Sequence, residues 1–333
     1  VNGGTLLGAG ALVVLGLLAW QLRWVLLVLF GSVTLAVALD VPTSALIRHC
    51  RLGRPLALLV VVLVLVGLGL ALGQVLVPEL TEQVSELVQL IPAVAERLDS
   101  LSREVSWLPD LNPGSDSLGW WDRLQPIGSQ LLGLAGGAAN TTIQLLLMAL
   151  LAVLLALDPA SHRQLLLDLT PRFGRSRMAL LLDRCREALG GWLAGMTLSA
   201  VLVFLLTWAG LSLLQVPLAL LSALVCGLLT FVPTIGPSAA SVLPLAVALL
   251  VSPAKVLQVL VLRLLLQNGE AFLLTPLLLR RTVNLLPTVA LMAQLSLGAL
   301  LGLPGLLLAL PLVVVVQVVF QQLLVKGLMD RWT

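Results

Sequence analysis

The stretch LALLSALVCGLLTFVPTIGPSAASVLPLAVALLV, residues 218–251, decides how this chain is folded. Two apolar runs, 218–232 and 237–251, flank the turn Phe231-Val232-Pro233-Thr234-Ile235-Gly236-Pro237. Each run is about 15 residues, or roughly 22 Å of helix, which is short for a hydrocarbon core about 30 Å thick. Proline removes backbone donors and glycine permits tight geometry, so the tip at Pro233, Thr234, Gly236 and Pro237 is expected to unwind. Unwound backbone at membrane depth is tolerated only where protein covers it or a wet cavity receives it. The stretch is therefore expected to be a re-entrant or broken helical hairpin beside a cavity. The other possibility is a pair of full helices that the prolines merely kink.

A second pair of runs, 288–302 and 305–325, repeats the pattern around Gly302-Leu303-Pro304-Gly305, with Gly302, Pro304 and Gly305 as its tip. Working outward, further apolar blocks fall at 5–20, 24–39, 56–77, 139–157, 195–214 and 256–279. The chain is 59% hydrophobic and only 11% charged, against roughly 25% charged in soluble domains. These numbers exclude a soluble class and predict an all-α polytopic transmembrane protein. The block at 5–20 lacks a basic flank and is followed at once by another, so it reads as a retained helix.

Arginines cluster in the expected loop 40–55 (Arg48, Arg51, Arg54), in 158–194, at Arg280 and Arg281, and in the tail with Lys326 and Arg331. The positive-inside rule makes these segments cytoplasmic. For the remaining spans to alternate, 218–251 must begin and end outside, and 288–325 must begin and end inside. The two hairpins then have opposite orientation, and the C-terminal part reads as an inverted repeat. The organisation expected is 1–77 as N-terminal transmembrane helices, 78–138 as an external amphipathic helical region, 139–194 as a return span with a basic cytoplasmic segment, and 195–333 as the transport core.

In the acidic external region Leu80, Val84, Leu87, Ile91, Val94, Leu98, Leu101 and Val105 alternate at spacings of four and three. That is the stripe of an amphipathic or coiled-coil helix, and it requires an apolar partner. The membrane surface, the chain's own bundle and neighbouring subunits all qualify; self-association ranks first, with Pro92 as a kink in the stripe. Trp107, Trp120 and Trp121 suit an interfacial belt.

The block 256–279 carries Arg263, Gln267, Asn268 and Glu270 among leucines and valines. An ionisable group at the centre of a span costs roughly 2.5 to 3.5 kcal/mol on insertion scales, so it is expected to face a cavity or a partner. Arg263, Gln267 and Glu270 are spaced four and then three and share one helix face. Glu270 is the candidate for ion coupling, with Arg263 as a snorkelling residue and Glu270 as a structural acceptor on the alternative reading. No Walker lysine, zinc-protease motif or nucleophile–histidine arrangement is evident, so no enzyme activity, cofactor or metal is expected. Cys50, Cys185 and Cys226 lie far apart without metal spacing, and the formal charge of +3 reads as membrane orientation and not as a nucleic-acid surface.

Three strings carry a family likeness: Phe231 to Pro237; Gln267-Asn268-Gly269-Glu270 leading to Pro276 and then Val283-Asn284-Leu285-Leu286-Pro287; and Leu301-Gly302-Leu303-Pro304-Gly305 followed by Ala309-Leu310-Pro311. In this order they make the C-terminal half similar to the autoinducer-2 exporter family of bacterial permease-like membrane proteins; the first 190 residues match mainly in layout. The chain departs from the family pattern at Thr234, where an aromatic is usual, and at Ala271 and Phe272, where an Asn commonly follows the acid. The resemblance implies a helix break at Pro276, Asn284 and Pro287, a homo-oligomer in the bacterial inner membrane, and export of a small polar signalling metabolite, with sodium or proton antiport proposed for some members. The functional expectation is a secondary transporter working by alternating access. A sodium (lithium)/proton antiporter and a non-transporting membrane scaffold are the alternatives.

Overall fold

The computed structural model describes residues 17–18, 20–104, 138–232, 236–270, 272 and 287–322. Among these residues the regular elements are all helical: α1 (Arg23–Cys50), α2 (Arg54–Glu104), α3 (Ala138–Leu157), α4 (Pro159–Asp168), α5 (Arg175–Leu213), α6 (Ala219–Leu229), α7 (Gly236–Val251), α8 (Pro253–Gly269), α9 (Thr288–Gly302) and α10 (Pro304–Phe320). Arg23–Cys50, Arg54–Leu90 and Arg172–Leu213 are long and apolar enough to cross a membrane. The pair Ile143–Leu157 and Pro159–Asp168, bent by 84°, makes a fourth if it is one broken span. The break has a local cause. The Asp158 carboxylate accepts from the Ser161 N–H at 3.1 Å, with Pro159 in the first turn of the new helix, an N-cap that starts α4 in a fresh direction.

Two segments expected as loops are helical. The first helix runs to Cys50 through the basic stretch that begins at 40, and only 51–53 separate it from α2. Arg51, at φ 51°, closes α1 in the left-handed conformation with its N–H on the Ile47 carbonyl. Likewise, within 158–194, residues 159–168 are α4 and 175–194 the first half of α5. Charge marks where a helix leaves the hydrocarbon, but a helix continues beyond that point as long as its charged side chains reach water. Arg48 in the last turn of α1 also faces the favourable end of the helix dipole.

The chain forms two compact units interleaved in sequence. Unit 1 comprises Val1–Val62, Thr142–Gly191 and Val283–Thr333, and unit 2 comprises Leu63–Thr141 and Trp192–Thr282. Helices α2 and α5 each pass from one unit into the other.

In unit 1, Ala36 and Leu39 of α1, Leu58 and Val61 of α2, and Ala152 and Ala156 of α3 make one buried cluster. Beside it the Asp40 carboxylate, whose side chain is 9% exposed, accepts from Arg54 at 2.7 Å and from Arg186 of α5. Arg54 also donates to the Ala156 carbonyl at 2.8 and 3.0 Å. Four helices are thereby tied at one level.

In unit 2, Leu211, Val216, Leu218, Leu221, Val247, Ala248 and Val259 form the core. Leu80 and Leu87 of the amphipathic stripe, together with Leu90, pack on this core. Gln83 accepts the Leu221 N–H at 2.8 Å in the first turn of α6. The chain's own bundle thus takes the start of the stripe. The helix itself continues through Pro78 and Pro92 to Glu104, and the tryptophans at 107, 120 and 121 lie outside the described residues.

Both hairpins fold back. Cys226 of α6 donates its thiol to the Ala240 carbonyl of α7 at 3.3 Å, and Gly236 sits where any Cβ would run into the Leu229 carbonyl. In the second pair, a Cβ at Gly298 would lie 3.7 Å from the Leu306 Cβ. Eight residues of straight helix would separate the two by about 12 Å, so the chain doubles back between them. The reversal falls at Gly302, with φ 66° and ψ −150°, a conformation open essentially to glycine alone. Gly305 then packs so closely that a Cβ would strike the Leu297 carbonyl. The first hairpin belongs to unit 2 and the second to unit 1.

Candidate functional site

Helix α8 begins at a Ser252 N-cap, whose side chain accepts from the Lys255 N–H at 3.2 Å, and Lys255 Nζ reaches the Leu214 carbonyl at the end of α5. The helix packs on α7. Arg263 is turned inward and is 5% exposed. Its Nε donates to Ser241 Oγ at 3.0 Å and its Nη2 to the Pro237 carbonyl at 3.1 Å. Ser241 in turn donates to the same Pro237 carbonyl at 2.9 Å. Arg263 therefore grips the first turn of α7 immediately after the hairpin tip. The snorkelling alternative requires an exposed guanidinium and does not describe this arrangement.

Two turns further along the same face, Glu270 accepts a hydrogen bond from Ser199 Oγ of α5 at 2.6 Å. Arg263, Gln267 and Glu270 line a single cavity together with Val203, Cys226, Thr230, Pro237 and Leu266. About 10 Å³ of it is open to the centre of a water-sized sphere, which is room for about one water. Asn268 is turned elsewhere: it is exposed and donates to the Leu264 carbonyl at 2.7 Å, one turn back along its own helix.

Of the expected tip residues, Gly236 is buried and Pro237 lines the cavity, whereas Pro233 and Thr234 lie outside the described residues. In the second hairpin Gly302 is exposed, Pro304 is partly covered and Gly305 is buried. Pro287 opens the helix that contains α9; Pro276 and Asn284 lie outside the described residues.

The wall opposite α8 also has a signal in the sequence. Ser199 and Val203 are one turn apart on α5, and Cys226 and Thr230 one turn apart on α6, so each pair projects from a single face. Small polar residues on one face of an apolar helix are the available signal: Ser222, Cys226 and Thr230 recur every fourth position, and Ser199 and Thr207 flank Val203 on α5, with Thr207 and Ser222 both fully buried. Among the described residues no group of three or more His, Cys, Asp and Glu could hold a metal.

Comparison with known proteins places this geometry in a family context. A family model described as AI-2E family transporter matches residues 10–325. Two proteins of Bacillus subtilis (strain 168), whose names give them an inferred transport role, are similar over most of their length. YrrI is 27% identical over 286 residues, covering 83% of this chain and 80% of YrrI. YueF is 22% identical over 283 residues, covering 81% of this chain and 77% of YueF.

Proposed function

The chain belongs to the AI-2E transporter family, and we propose that it is a secondary transporter that exports a small polar metabolite or signalling molecule by alternating access. As a multi-pass inner-membrane transporter it moves its solute between two aqueous phases, and the cavity lined by Arg263, Gln267 and Glu270 is where the solute is held. The observation that carries this reading is the link between polar helix and hairpin. Arg263 is hydrogen-bonded to the backbone that follows the broken tip, so a solute that draws on its guanidinium also loosens or tightens the hairpin entrance. Binding and gating then share one set of bonds, which is what alternating access requires. With room for about one water, the present conformation is a closed one. Opening to either side moves the hairpin relative to α8.

The second hairpin, with its tip at Gly302, Pro304 and Gly305, is the counterpart that opens toward the opposite leaflet, and the working assembly is a homo-oligomer. One observation favours a second reading, sodium (lithium)/proton antiport. A cavity of this size suits a stripped ion, and a carboxylate held by a serine hydroxyl is a ligand for sodium or for a proton.

Proteoliposomes loaded with candidate metabolites, with and without imposed pH and sodium gradients, separate the two readings. Export predicts solute flux that Glu270→Gln lowers by at least about tenfold, a loss of roughly 1.4 kcal/mol of transition-state stabilisation. Antiport predicts sodium- or lithium-dependent proton movement without any solute, abolished by the same substitution. Flux of either kind that survives Glu270→Gln unchanged removes the site from the mechanism.

A further inference from the structure

The charge arrangement around Arg263 says more about what the cavity accepts. Its guanidinium is buried, yet the partners it donates to, the Ser241 hydroxyl and the Pro237 carbonyl, are uncharged. The ion pairs found among the described residues do not include it. A buried cation held by neutral acceptors gains from a nearby counter-charge, and Glu270, which lines the same cavity, stands two turns away along α8. The element it grips adds the same sign. Pro237 lies in the first turn of α7, a helix of 16 residues, so the positive end of that helix dipole is directed at the same point. Glu270 occupies the other end of the cavity and is engaged there by Ser199.

We propose that the cavity recognises its solute through an anionic head group, a carboxylate or phosphate-like oxyanion, which the Arg263 guanidinium takes up in exchange for its contacts with Ser241 and Pro237 at the first turn of α7. This inference rests on the transport reading and narrows it to one chemical class. The planar fork of an arginine matches a pair of oxyanion oxygens, and the N-terminus of a half-length helix at membrane depth is a recurring anion seat. Cations and uncharged polyols gain nothing at this end.

Cys226 provides a reporter that does not require the solute to be known. It lines the same cavity as Arg263. Replacing Cys50 and Cys185 by Ser leaves Cys226 as the single thiol, since the chain has three cysteines. The full-length protein in nanodiscs is then treated with sulfonatoethyl, trimethylammonioethyl and methyl methanethiosulfonates, which are anionic, cationic and neutral, and each rate is divided by the rate with a small free thiol. The anionic reagent is expected to react about tenfold faster than the cationic one. Arg263→Gln should erase that preference, whereas Arg263→Lys, which keeps the charge, should retain it and so guards against a folding artefact.

Equal rates for the two charged reagents, a cationic preference, or an anionic preference that Arg263→Gln leaves intact would overturn the anion assignment while leaving a reachable cavity in place. Failure of all three reagents from both faces would overturn the transport cavity together with it.

Discussion

At the scale of single residues, the site depends on whether a polar group on an apolar helix meets another one. Ser199 is 6% exposed and donates a hydrogen bond to Glu270. Removing that donor forfeits one hydrogen bond to a charged or polar acceptor, about 1.5 kcal/mol. Ser199→Ala should therefore slow transport about tenfold or less, a milder defect than Glu270→Gln, as read by flux at equal reconstituted protein. Gln294 of α9 presents the reverse case. It is fully buried, and neither amide atom has a partner among the described residues. Leaving such a group unmet costs about 1–3 kcal/mol. Gln294→Met, similar in volume, should raise the melting temperature in detergent, and an unchanged or lower value would mean that the amide is satisfied in the folded protein. Sequence spacing put Arg263, Gln267 and Glu270 on one face correctly, because a 3.6-residue period follows from backbone geometry alone. It could not separate Asn268, because whether an amide faces a neighbour or bonds back to its own helix is settled by packing.

The helices depend on a few places where backbone approaches backbone. At Gly236 and Gly305 a methyl group would collide with the carbonyls of Leu229 and Leu297, and these cannot yield without opening the reversal. Gly236→Ala and Gly305→Ala should each cost about 1–3 kcal/mol, measured as a fall in the thermal unfolding midpoint, while Gly67→Ala, with nothing within 4 Å, should be close to neutral. The Asp40 cluster grades the same way. Arg186 is 56% exposed at the side chain, so its ion pair is screened and Arg186→Ala should cost at most about 1 kcal/mol. Asp40, at 9% exposed, holds Arg54, which also serves the Ala156 carbonyl. Asp40→Asn should cost about 1–2 kcal/mol, since it removes the shared acceptor of both arginines while Arg54, 27% exposed at the side chain, keeps access to water; equal losses for the two variants would contradict this ranking. Both hairpins were readable from short apolar arms around Pro and Gly, a consequence of bilayer thickness and proline's missing donor. The helical character of 40–50 and 158–194 was not, because arginine is a good helix former whose charge signals only the depth of the interface.

For the molecule as a whole, the distribution of arginine predicts that the end of α1 faces the cytoplasm. Cys50, exposed at the end of α1 beside Arg48 and Arg51, should react with a membrane-impermeant maleimide in inverted vesicles and not in intact spheroplasts; labelling only from outside would invert the whole topology. Composition, apolar block length and charge asymmetry determined that the chain is a polytopic helical membrane protein with two broken hairpins, because lipid imposes a fixed thickness and demands that backbone polar groups be satisfied within each segment. What they left open, the tertiary structure decided. The amphipathic stripe begins on the chain's own core through Leu80 and Leu87, and Arg263 turns in to the hairpin backbone while Asn268 turns out. An apolar face specifies only that it must be covered, and a polar side chain only that it must be bonded. Which neighbour does either is fixed by packing between segments distant in sequence, and no local pattern encodes it.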